Sequence, residues 1–168
     1  MSARIRVAAA LTLGAALGAC EPPDLSVPTP GQVESAFAGF ATVTASMSGN
    51  VAEVTVKQSG QQIRRGGTLW AKVGPYIYLF SEPTQGLFTD FGGLGGVRVI
   101  TTAPGGTEVA RALLPRDGLN ELTWRRALNV AGIARRDGTD RPSTLESLVA
   151  WGEDHTEFEY SPRYVRRR

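Results

Sequence analysis

The only imidazole in the chain, His155, stands beside the carboxylates Glu153 and Asp154 and twelve residues after Ser143. A Ser-His-acid hydrolase would have to run through it, with the serine as nucleophile and the ring as general base. The pattern argues against that chemistry. There is no Gly-x-Ser-x-Gly elbow, and an acid adjacent in sequence is badly placed to orient its neighbour's ring. His155 is therefore expected to cap or face solvent at a helix-to-strand corner. A zinc site needs several convergent His or Cys donors, and only one of each exists. Asp137-Gly-Thr-Asp140 lacks the rest of a calcium loop and reads as a turn. Phe91-Gly-Gly-Leu-Gly-Gly96 matches neither the dinucleotide nor the phosphate-loop pattern, and it precedes a strand instead of opening a helix. Its glycines are expected to permit a tight helix-to-strand passage. No catalytic residue, metal or cofactor is expected.

Composition narrows the class further. An apolar fraction of 42% with 20% charge over 168 residues fits a single globular domain with a real core. The 18 basic residues exceed the 16 acidic ones only through Arg4 and Arg6, so the body is charge-balanced. That balance excludes a dedicated nucleic-acid binder, which needs a clustered basic face.

Arg4 and Arg6 precede an uncharged run from Val7 to Ala19 that closes on small residues, the order of a secretory signal. Thirteen helical residues would reach about 20 Å, short of the roughly 30 Å needed for a permanent span. The run ends in Leu17-Gly18-Ala19-Cys20, which resembles the lipobox of bacterial lipoproteins, although Gly18 is a less usual choice at its position. The resemblance covers about the first twenty residues. It implies that diacylglycerol is attached to the Cys20 sulfur, that cleavage falls just before it, and that the new amino terminus is acylated. The thiol is the nucleophile of that reaction, and its consumption leaves a mature chain without free cysteine. By the same resemblance Glu21, not being aspartate, points to the outer membrane, facing the periplasm, over inner-membrane retention.

The expected organisation is a signal peptide over 1–19, a lipidated cysteine with a tether over 20–33, one domain over 34–164 and a basic tail over 165–168. Four prolines between Glu21 and Gly31 make the tether semi-rigid. Within the domain a hairpin is predicted between Phe40 and Val56, turning at Ser48-Gly-Asn50, with Val43, Ala45 and Met47 facing inward beside Val54 and Val56. A second hairpin is read at Arg64-Arg-Gly-Gly67, feeding a long strand from Thr68 to Phe80. Ser81-Glu-Pro83 opens a short helix bearing Leu87, Phe88 and Phe91. Strands 97–102 and 107–114 flank Ala103-Pro-Gly-Gly106. A helix over 119–134, with Glu121, Arg125, Asn129 and Gly132 on its polar stripe, is expected to pack deeply on the sheet. Ser143 and Glu146 form a capping-box pattern for a helix to about Glu153. Residues 156–160 alternate as a last strand, with Phe158 and Tyr160 inward. The fold class is α+β: an antiparallel sheet of about five to seven strands with two or three helices mainly on one face.

These readings favour a lipid-anchored envelope protein that binds or assembles without turning over a substrate. Its expected partners are the membrane, through the anchor, and an envelope protein. The alternative is a small-ligand or lipid carrier with an apolar groove, with a hydrolase third. Trp70, Trp124, Trp151 and Tyr76 could line such a groove but are core residues first. Arg163 and Arg166 to Arg168 are expected to form a solvated end.

Overall fold

The structure is a computed structural model that describes residues 24–165. The signal peptide, the lipobox residues Leu17, Gly18, Ala19 and Cys20, and the arginines 166–168 lie outside the described residues.

The elements in chain order are α1 (Pro30–Phe37), β1 (Thr44–Ser48), β2 (Val51–Lys57), α2 (Gly60–Leu79), α3 (Glu82–Asp90), β3 (Gly96–Thr102), β4 (Glu108–Pro115), a 3-10 turn (Arg116–Gly118), α4 (Glu121–Asp137), α5 (Pro142–His155) and β5 (Glu157–Tyr160). The class is α+β, with one five-stranded sheet in the order β1-β2-β3-β4-β5. Both predicted hairpins around Ser48-Gly-Asn50 and Ala103–Gly106 are present and antiparallel, as is β4 with β5. The sheet is nevertheless mixed, because β2 and β3 run parallel. A parallel neighbour needs a crossover, and α2 with α3 supplies it.

Alternation separates the two faces of the sheet. Ala45, Val54, Val99, Ala112 and Phe158 form one cross-strand row, and Met47, Ala52, Val97 and Leu114 the next. Val54, Val97, Val99 and Leu114 are fully buried there beneath the helices. The opposite face carries Ser46, Glu53, Arg98, Leu113 and Glu157 in register, with the Arg98 guanidinium 2.5 Å from the Glu53 carboxylate. Helices cover one face and the other is polar.

The largest departure from the sequence reading is residues 60–79. They form a helix, not a hairpin and strand, with the Ser59 hydroxyl accepting from the Gln61 amide at its start. Gly67 (φ 54°, ψ −135°) divides it into two arms, a kink within helical chain where a hairpin turn was expected. Pro75 sits inside the second arm, where its missing N–H and fixed ring disfavour a helix. Burial overrides that penalty. Trp70, Ala71, Val73, Tyr76, Leu79 and Phe80 are all buried, because this arm lies between the sheet and α5. A segment buried nearly all round has lost the periodic contrast that separates helix from strand.

Three smaller corrections follow from packing. α4 rests on α5 and α2 and not deeply on the sheet; Trp124, Ala127, Ala131 and Ala134 form its buried stripe while Leu122 is 69% exposed. The start of α5 uses Arg141 as N-cap and Pro142 as first residue, so Ser143 lies inside the first turn and the Ser143–Glu146 box does not form. Phe158 is 42% exposed, since β5 is an edge strand at the margin of the helical layer.

α2 and α5 touch through Gly152, where a Cβ would stand 2.5 Å from atoms of the buried Tyr76 ring. Gly152→Ala gains about 1 kcal/mol of helix propensity but overpacks a rigid contact at about 1–3 kcal/mol. A net destabilisation of about 1 kcal/mol is expected in urea unfolding, with the m-value unchanged.

Candidate functional site

His155 ends α5, and its Nδ1 lies 2.9 Å from the Trp151 carbonyl oxygen one turn earlier. Its ring stacks on Trp151 at 4.0 Å between centroids, and the Arg126 guanidinium stands 4.5 Å from the same indole. Ser143 is at the other end of α5, about 18 Å away along a helix of 1.5 Å rise per residue. The structure thus does not bring the hydrolase components together. Asp137 is engaged by cations of the chain itself: Arg136 Nε donates to it at 2.8 Å and holds its carboxyl below the ordinary range, with Arg141 4.0 Å away. Among the described residues no cluster of His, Cys, Asp and Glu is arranged to hold a metal ion.

The strongest polar constellation involves residues that the sequence reading did not group. Lys72 and Tyr76 lie one turn apart on α2, Glu153 near the end of α5, and Tyr160 on β5. Lys72 Nζ is 2.9 Å from Glu153 Oε1, the Tyr160 hydroxyl donates to the same oxygen at 3.1 Å, and the two tyrosine oxygens are 2.5 Å apart. With the Tyr160 proton directed at Glu153, Tyr76 must be the donor between the two hydroxyls. Lys72 also lies 4.8 Å from the centre of the Tyr160 ring. Burial pushes the Tyr76 hydroxyl up to about 12. Burial likewise raises Tyr160, reinforced by Tyr76 and Glu153. Both phenols stay protonated at neutral pH, and the lysine and glutamate neutralise each other. The cluster locks three elements together. Four residues in a strand span about 13 Å, but one helical turn brings Lys72 and Tyr76 within about 6 Å; reading 68–80 as a strand hid the pair. A shallow groove of about 900 Å³ opens beside the cluster, lined by Lys72, Glu153, Phe158, Tyr160, Pro162 and Val165 among others.

The four aromatics singled out from sequence divide as the core reading expects. Tyr76, Trp70 and Trp124 are buried and Trp151 is half-buried. A separate furrow of about 570 Å³ runs between Phe40, Ile77, Phe80, Leu128 and Ala131, with Arg135 seated 4.2 Å from the Phe40 ring centre.

The glycine run makes the expected short passage from α3 to β3 and has a second role that the sequence reading did not foresee. The Gly92 amide donates to Asp24 Oδ2 at 3.1 Å and the Gly93 amide to the Ser26 carbonyl at 2.8 Å. Neither glycine has room for a Cβ, which would press into the carbonyl oxygens of Asp24 and Leu25. Arg116 braces the loop from behind by donating to the carbonyls of Leu94 and Phe91. The loop therefore does cradle an anionic group: the chain's own Asp24, whose side chain also accepts from the Ser26 amide at 2.9 Å. The proline-rich segment is in contact with the domain from Asp24 onward.

Two titrations report on these sites. The Tyr76 pKa is higher in the folded chain than in the unfolded one, so stability from this group is full below about pH 10. It should fall as pH rises from there towards about 12, measured as a dropping urea midpoint alongside delayed tyrosinate absorbance. For Asp24 the sign is reversed: amide hydrogen bonds from Ser26 and then Gly92 lower its pKa. The clamp is complete above the ordinary carboxylate range and is lost as pH falls through the lowered value. The Gly92 amide proton shift should follow that acid titration, and Asp24→Asn should abolish it.

Comparison of the chain with protein-family models, with curated proteins and with solved structures finds no match.

Proposed function

We propose that the chain is a lipid-anchored cell-envelope protein whose domain serves as a non-catalytic binding or assembly module. The anchor is the acylated sulfur of Cys20, following Leu17-Gly18-Ala19, and the site of action is the outer membrane, facing the periplasm. One acyl chain holds a protein only marginally, but two or three together hold it stably. The observation that carries the non-catalytic part is the mutual satisfaction of the reactive groups. His155 is bonded to a backbone carbonyl, Lys72 to Glu153, and the tyrosine pair is held protonated. The partner is an envelope protein. A ligand-carrier role would use the furrow beside Phe40 and Arg135, and the fully buried core residues that fill the interior beneath it favour the protein partner.

The anchor is tested with Cys20→Ser in the native envelope. The variant should lose attached lipid and shift to a soluble or uncleaved form on detergent partitioning. Unchanged partitioning of a chain with no lipid mass at its amino terminus would refute the assignment. Crosslinking from intact envelopes should recover a specific protein partner, and its absence would count against the assembly role.

A further inference from the structure

Among the described residues the large aliphatic side chains left exposed are Leu25, Val27 and Leu122, the first two in the segment that follows the lipobox. Asp24 and Ser26 turn towards the Gly92–Gly93 loop and are bonded to it. The alternate residues, Leu25 and Val27, are left 77% and 46% exposed. Leu122, 69% exposed in the first turn of α4, follows the Arg116–Gly118 turn that braces the same loop. The loop stands at one end of the sheet, where Gly95 also donates to the Asn50 carbonyl in the β1–β2 turn. The β3–β4 turn at Ala103–Gly106 is at the other end, seven residues of β3 away, about 23 Å at 3.3 Å per residue.

Asp24 lies only four positions after Cys20, which at full extension is about 14 Å. A lipidated Cys20 would hold the clamped segment within that reach of the headgroups, with no long swinging tether between them. Exposed aliphatic side chains so close to a bilayer are favourably seated at the boundary between headgroups and acyl chains.

We propose that the end of the domain bearing the Gly92–Gly93 loop is its membrane face, with Leu25 and Val27 seated in the bilayer interface and the β3–β4 turn directed away from it. This rests on the lipid-anchored reading and adds a fixed orientation to it. The occupant is a lipid surface because the exposed residues are aliphatic, follow the anchor directly in the chain and are hydrogen-bonded to the domain through Asp24 and Ser26.

The test uses the full-length lipidated protein in phosphatidylcholine vesicles. Once Cys20 is acylated, a single introduced cysteine is the only free thiol, so Leu25→Cys, Leu122→Cys and Gly105→Cys can each carry an environment-sensitive fluorophore. Gly105 has open space around a built Cβ, so that substitution leaves the turn intact. Iodide quenching should be about threefold weaker at position 25 than at position 105, as expected for a label at the lipid interface. Energy transfer to a headgroup acceptor should be stronger from position 122 than from position 105. Equal quenching at 25 and 105, or equal transfer from 122 and 105, on a chain shown by mass to be lipidated would overturn the orientation and leave the anchor standing. Finding that the protein with Cys20 intact, purified from its native envelope, carries no lipid and does not float with vesicles would overturn both.

Discussion

Tyr76 is fully buried where α2, α5 and β5 meet, and its ring and its hydroxyl make different demands on their surroundings. The ring requires a glycine opposite, and Gly152 lets α5 approach the second arm of α2 closely. The hydroxyl requires a polar partner, because an unpaired buried phenol would bear a desolvation cost of about 1–3 kcal/mol. Tyr160 meets that requirement and in turn reaches Glu153, which faces Lys72. One side chain thereby fixes the distance between two helices and ties the last strand to both.

The remaining architecture follows from where that helical arm sits. Because α2 and α3 form the crossover between β2 and β3, those strands run parallel while every other pair is antiparallel. The arm occupies the apolar face of the sheet, so α4 is left to cover helices instead of strands. The opposite face is kept soluble by cross-strand ion pairs such as Glu53 with Arg98 and Arg111 with Glu159, the latter at 3.6 Å. Pairs this exposed contribute little to stability, about 0–1 kcal/mol each. Their effect is to keep that face polar.

The clamp at Gly92 and Gly93 couples the amino-terminal segment to the domain through backbone amides, with Arg116 holding the loop's outward carbonyls. A phosphate-type loop presents amides to a ligand anion in the same manner. Here an aspartate supplied by the chain occupies the position. The glycines serve close approach at this site: an added Cβ would meet the backbone of residues 24–26.

The sequence by itself determined the hairpins at Ser48-Gly-Asn50 and Ala103–Gly106, the existence of helices after Ser81, from about 119 and from Pro142, and the last strand, with the ends of the latter two helices read at 134 and about 153 where the structure has 137 and 155. The two hairpins and the two later helices are bounded by local signals that need no distant partner: Ser48-Gly-Asn50, Ala103-Pro-Gly-Gly106, Asp137-Gly138 and Pro142. Only the tertiary structure decided that 68–79 is a helix, since burial on nearly every side erased the contrast between apolar and polar positions there. The Lys72, Tyr76, Glu153 and Tyr160 cluster and the contact of Asp24 with Gly92 were decided at that level too. They join segments tens of residues apart in the chain, and hydrogen bonds between distant segments leave no periodic trace in the sequence of either partner.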